Sequence, residues 1–277
     1  LSTNPSIHPG PCSAHPQGPS IRPIHLPFFK ELTMTTLSTT HPQMHVTAPS
    51  RPNGRALGAL LIAEALLAFA PLAILAPAIG WPASLGKPAA EQLSAIAAAP
   101  GALMAGYGLY LLYSVLLAPV LIALAARLKG GLASSLGATV AAFAALSALA
   151  RAIGILRWLT VMPALAAAHA SADPAARAQI ELVFSAVTAY GGGIGEVLGV
   201  SLFMALALGT LCIGALARGG LPKWLAGAGL VVALALAALS LPVFGGPAVV
   251  PVAAAVSLLS AWMLAAGVRC LWGGQLN

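Results

Sequence analysis

Four ionisable side chains, Glu64, Arg151, Arg157 and Glu196, interrupt apolar runs that are otherwise long enough to cross a bilayer. Ionisable groups in hydrocarbon are costly, so such residues are either paired or put to use. Glu64 lies about nine residues into the run 56–80, roughly 13 Å from its start at a rise of 1.5 Å per residue. In an apolar setting a carboxyl stays neutral unless a cation is close. Glu64 could therefore carry a proton or a cation, or bond a neighbouring helix as a protonated acid. Arg151 stands in the second half of the run 132–162, with Arg157 about 9 Å further along it. Six residues of helix turn these two arginines about 120° apart, so they need not share a partner. Glu196 stands near the start of the run 191–217, at a depth that either arginine reaches. Arg151, Arg157 and Glu196 could line an outward-facing pocket for an anionic ligand. Alternatively an Arg–Glu pair locks two helices, and Arg157, beside Trp158, extends to the lipid headgroups.

Other chemistry has little to stand on. Gly191, Gly192, Gly193, Gly195 and Gly199 open the run 191–217. Gly191/Gly195 and Gly195/Gly199 have GxxxG spacing, which lets helix backbones approach closely. A phosphate-cradling loop would need a Lys-Ser/Thr ending or a flanking strand, and neither is present. Tyr107, Tyr110 and Tyr113 read as an interfacial belt or, alternatively, as the lining of a pore. There is no HExxH, no GxSxG and no pair of carboxylates at workable spacing. Ser257 and Ser260 lack a neighbouring base, and His169 has no nucleophile beside it. Cys12, Cys212 and Cys270 form no CxxC, and the last two read as small buried hydrophobes. Five histidines (His8, His15, His25, His41, His45) fall in the first fifty residues at irregular, proline-interrupted spacing, which is no metal-ligand pattern. No catalytic residue, metal site or cofactor is expected, and the chain does not read as an enzyme.

The elements that must position these residues are helices. The 277 residues are 59% hydrophobic and 7% charged, against roughly 25% charged residues in soluble domains. Six runs, 56–80, 103–126, 132–162, 191–217, 225–244 and 248–268, approach or exceed the roughly 20 residues that span hydrocarbon. The fold class is thus all-α, a bundle of six transmembrane helices. Pro71, Pro77, Pro119, Pro242 and Pro251 are expected to kink these helices rather than end them. The connections 81–102 and 163–190 each hold a candidate short surface helix, the second capped by Asp173 with Pro174 at its first position. Each also holds a basic–acidic pair four residues apart, Lys87 with Glu91 and Arg177 with Glu181.

The basic residues give the orientation. With the amino terminus inside, the cytoplasmic ends gather Arg51, Arg55, Arg127, Lys129, Arg218, Lys223 and Arg269, as the positive-inside pattern requires. The opposite loops hold Lys87 and Arg177. Both termini are expected in the cytoplasm, with Trp81, Trp158, Trp224 and Trp272 near the interfaces. The net charge of +7 is scattered along the chain, so a nucleic-acid partner is not expected. Residues 1–50, rich in Pro, Ser, Thr and His, read as a disordered tail, leaving 51–277 as the membrane domain. Translation starting at Met34 would account for the character of the preceding stretch.

The segment Ala150-Arg151-Ala152-Ile153-Gly154-Ile155-Leu156-Arg157, the helix entered through Ala189-Tyr190-Gly191, and the connector Gly220-Leu221-Pro222-Lys223-Trp224-Leu225 carry a resemblance. Over roughly 55–270 the chain resembles the bacterial membrane proteins grouped as domain of unknown function (DUF) 4386. The resemblance implies a compact six-helix inner-membrane protein. It implies no activity, and no site residue is carried over from it. Residues 1–50 depart from it. The expected role is a non-catalytic regulatory subunit in the inner membrane. Beyond the lipid bilayer, such a subunit would meet a membrane-protein partner or a second copy through Gly/Ala-rich helix faces. Small-solute or proton-coupled transport through Glu64 and the Arg151/Arg157/Glu196 cluster is the alternative.

Overall fold

The structure is a computed structural model, and it describes residues 53–273; the tail expected over 1–50 lies outside them. The described residues contain helices and no strand. In chain order the α-helices are α1 (Gly54–Leu67), α2 (Ala70–Ile79), α3 (Ala89–Ala98), α4 (Pro100–Ala125), α5 (Ser135–Leu159), α6 (Val161–Ser171), α7 (Pro174–Gly192), α8 (Met204–Arg218), α9 (Lys223–Ala238) and α10 (Val252–Gly273). A π-helix, Gly193–Phe203, joins α7 to α8. Five stretches are long and apolar enough to cross a membrane: Gly54–Ile79, Pro100–Ala125, Ser135–Ser171, Pro174–Arg218 and Val252–Trp272.

The expected fifth run, 225–244, is shorter than its hydropathy implied. Helix α9 stops at Ala238 after 16 residues, about 24 Å of helix where the hydrocarbon core is about 30 Å thick. Pro242 explains the stop: it lacks a backbone donor and disfavours helix at the residue before it. The chain passes instead through a 3₁₀ turn, Leu241–Phe244, and Gly245 at φ 81°. The Ser240 hydroxyl donates to the Ala237 carbonyl at 2.7 Å, which also accepts from the Ser240 amide at 3.1 Å. Of the prolines expected to kink helices, Pro77 and Pro119 do lie inside α2 and α4. Pro71 instead opens α2 after a break at Ala68–Phe69, and Pro242 and Pro251 sit at helix boundaries.

The fourth run does not begin at its glycines. Helix α7 enters from Pro174, where the Asp173 carboxylate accepts from the Ala176 amide at 2.9 Å, the cap expected from the sequence. Lys87 and Glu91 pair on the surface at 3.6 Å. Arg177 and Glu181 do not: Glu181 takes His169 Nε2 at 2.9 Å, and Arg177 Nε donates to the His169 carbonyl. Helix α6 therefore captures both side chains from α7, and the two surface helices are held to each other.

Two apolar cores occupy the bundle. One joins α1, α8, α9, α10 and the second half of α4 with the first half of α5. The other joins α2, α3, α6 and α7 with the first half of α4 and the end of α5. Helices α4 and α5 run through both. Between the cores, at Tyr110–Ser114 of α4 and Ser147–Gly154 of α5, the packing turns polar.

Candidate functional site

The polar layer is built around Arg151. Its position on α5 is about 12 Å from the Leu159 end, and it is 2% exposed. The guanidinium lies over the Tyr113 ring, 4.9 Å from its centroid, a cation–π contact that strengthens where water is excluded. Tyr113 and Tyr110 are its strongest electrostatic neighbours. The Tyr113 and Tyr110 side chains act on the guanidinium through hydrogen bonding as well as charge, while Nε and Nη1 themselves and the buried Ser114 hydroxyl have no partner. Among the described residues no carboxylate lies within 4.0 Å of Arg151.

Glu64 comes from α1 to the same layer. It is 3% exposed, with Oε1 unpartnered, and Arg151 is the charge it senses. Glu64 and Arg151 are thus coupled across space without touching. Each keeps hydrogen-bonding capacity that a contact pair would have consumed. Buried polar atoms are nearly always satisfied in folded proteins, so this concentration of unsatisfied ones demands an explanation.

Arg157 and Glu196 form a second group. Each is a principal charge seen by the other, but they too are beyond 4.0 Å. Arg157 is 9% exposed, and its guanidinium stands 5.3 Å from the Trp158 ring centroid. Trp158 is itself buried, stacked parallel on Tyr107 with centroids 4.9 Å apart. Arg157 therefore packs within the bundle, and Trp158 turns to Tyr107 rather than outward. Glu196 is exposed at the surface of the bundle. Tyr110 connects the two groups, interacting with Arg151 on one side and Glu196 on the other. Glu64, Arg151, Tyr110, Arg157 and Glu196 thus lie each within electrostatic reach of the next, a polar column whose last member, Glu196, is exposed.

Glycines make the column sterically possible. A β-carbon on Gly191 would lie 2.6 Å from Arg157 Cδ, and one on Gly199 would lie 2.6 Å from Arg151 Cγ. Between them Gly154 and Gly195 bring the backbones of α5 and the π-helix together, a β-carbon on Gly154 falling 2.7 Å from Gly195 Cα. Ser147 Oγ donates to the Gly199 carbonyl at 2.7 Å, and Ser201 Oγ to Leu236 O at 2.6 Å. The GxxxG glycines expected to serve helix packing do so, and two of them also make room for an arginine. Five glycines in nine residues weaken α-helix here, and the chain adopts the rare π form that is frequent at functional sites.

The sequence reading placed Arg151, Arg157 and Glu196 in one cluster and Glu64 apart. In the structure Arg151 is the charge acting on Glu64, and Arg157 and Glu196 act on each other, with no ion-pair contact in either case. Reasoning from sequence also sent Tyr107, Tyr110 and Tyr113 to an interfacial belt, whereas Tyr107 and Tyr113 are buried and all three face the arginines. Their three-residue spacing, which lays them along one side of α4, is the signal that points inward. Cys212 and Cys270 are buried. No group of three or more His, Cys, Asp or Glu able to hold a metal occurs among the described residues. A groove of about 530 Å³ lies elsewhere, lined by Arg127, Lys129, Arg218 and Lys223, and none of the four column charges borders it.

Residues 56–267 match the model of a family described as a domain of unknown function (DUF4386). Neither the search of curated proteins nor that of solved structures found a match.

Proposed function

We propose that this chain, which belongs to the DUF4386 family, crosses a bacterial inner membrane six times and binds a small anionic solute at Arg151 for transport. In this reading α9 and its 3₁₀ turn make a short crossing, the fifth in chain order. Both termini are cytoplasmic, because Arg55, Arg127, Lys129, Arg218, Lys223 and Arg269 then fall on the inner side. The solute reading rests on one observation: a 2%-exposed arginine with two guanidinium donors unpartnered and no carboxylate in contact. A helix-locking arginine would hold its acid directly. A carboxylate or phosphate group could take the vacant donors on Nε and Nη1, beside the Tyr113 ring. Glu64, close enough to sense Arg151, would exchange a proton as the anion arrives and leaves, which couples the two movements. Glu196 and Arg157 mark the end of the column open to the surface. A partner-binding role would draw on Gly/Ala-rich faces; Gly58, Gly154, Gly195 and Gly267 are used inside the bundle, and Gly101, Gly108 and Gly227 face open space.

The test is uptake into vesicles carrying the purified protein, with labelled lactate, succinate and phosphate as probes and an inward proton gradient imposed. Saturable entry of at least one probe is expected, abolished by Arg151→Gln, with Glu64→Gln removing the dependence on the gradient. Uptake no greater than in protein-free vesicles for all three probes would count against the reading.

A further inference from the structure

The turn between α4 and α5 and the turn between α8 and α9 meet at the far end of the bundle from Arg157. A β-carbon on Gly220, at φ 114°, would lie 2.8 Å from the Arg127 carbonyl, so the two turns touch through their backbones. Leu128 and Leu221 are buried beneath them. Above this floor the groove of about 530 Å³ is lined by four cations, Arg127, Lys129, Arg218 and Lys223, and by no acidic residue. Among the described residues no carboxylate lies within 4.0 Å of Lys129, Arg218 or Lys223. Helix α9 begins at Lys223 with no side-chain cap, so its first amides also point positive charge towards this end. Trp224, the next residue, is 59% exposed, as an aromatic ring at headgroup depth would be.

We infer that this groove binds a phosphate group, supplied by the headgroup of an anionic phospholipid. Positive-inside orientation alone needs basic residues near the helix ends, but not four of them converging from two turns on one concavity. Basic pockets between transmembrane helices recognise anionic headgroups in this way. The groove rests on the bundle lying in a membrane and is independent of the solute reading, since it shares no residue with the Arg151 column.

The measurement is the melting temperature of the full-length protein in neutral detergent, titrated with dioctanoyl phosphatidylglycerol, dioctanoyl phosphatidylcholine or inorganic phosphate. Saturable stabilisation by phosphatidylglycerol and none by phosphatidylcholine is expected. Lys129→Gln, Arg218→Gln and Lys223→Gln together should weaken it on the order of a hundredfold, roughly fivefold per basic residue removed. Lys87→Gln, far from the groove in sequence and on the surface, should not change it. If inorganic phosphate stabilises at comparable concentration and the same triple variant removes the effect, the phosphate site stands and its source is a soluble phosphate. Where the triple variant fails to fold, Lys129→Gln with Lys223→Gln serves, with a loss of about 25-fold. Stabilisation by neither probe, or stabilisation unchanged in the variants, overturns the inference.

Discussion

Gly199 and Arg151 are fitted to one another: a β-carbon at 199 would stand 2.6 Å from Arg151 Cγ and 2.9 Å from the Arg151 backbone nitrogen. The glycine of the π-helix lets α5 come close enough for the arginine to lie along it. The neighbouring match, Gly191 with Arg157, differs in kind. There the three nearest atoms all belong to the Arg157 side chain, at 2.6, 2.7 and 3.3 Å.

That difference yields a prediction. Gly199→Ala meets backbone as well as side chain and should destabilise by about 1–3 kcal/mol, as overpacking does. Adding Arg151→Ala should not rescue it. Gly191→Ala should cost a similar amount, and adding Arg157→Ala should restore most of it. Thermal or denaturant unfolding in detergent, run as two double-mutant cycles, checks both halves.

Arg151→Met separates a ligand-binding arginine from a structural one. Arg151 lies over the Tyr113 ring but holds no carboxylate, so a methionine of similar length gives up one cation–π contact and removes the cost of burying a charge. Removing one member of a buried contact pair instead costs about 3–5 kcal/mol. Arg151→Met is therefore expected to melt at or above the wild-type temperature while abolishing anion uptake. A large loss of stability would return Arg151 to a structural role.

Tyr107 tests the two uses of a buried tyrosine. Tyr107→Phe keeps the parallel stack on Trp158 and removes a hydroxyl that has no partner, so stability should hold or rise slightly. Tyr107→Leu should lose about 0.5–1.5 kcal/mol of stacking beyond its change in buried area. Equal melting temperatures for the two variants would contradict the packing described.

Much of the bundle could be read in the residues before any coordinates. Long apolar runs dictate helices in a solvent that offers no hydrogen bonds, and the four interrupting charges are the four charges of the column. The partners could not be read, because pairing depends on how α1, α4, α5 and the π-helix rotate about their axes. Glu64 is almost ninety residues from Arg151 and shares no local pattern with it. The tyrosines of α4 were misplaced because an aromatic near a helix end fits an interface and a core equally well by composition. Helix α9 was overestimated because hydropathy counts Leu241, Val243 and Phe244 as favourable while Pro242 decides where the helix stops.

The orientation is open to direct labelling. Single cysteines at Lys129 and Lys223 should react with a membrane-impermeant maleimide only from the cytoplasmic side. Cysteines at Lys87 and Ser171 should react only from the opposite side. Reaction of Lys87→Cys and Lys129→Cys from the same side would remove the proposed topology.

The most direct measurement on the Arg151 site is the thiol reactivity of Tyr113→Cys in membranes, with Cys12 replaced by alanine and buried Cys212 and Cys270 as the internal background. An anionic sulfonatoethyl methanethiosulfonate is expected to label position 113 faster than its cationic trimethylammonium counterpart. That preference should disappear when Arg151→Gln is added. Labelling at 113 no faster than the background of Cys212 and Cys270 would contradict a solute-accessible anion site at the centre of the bundle.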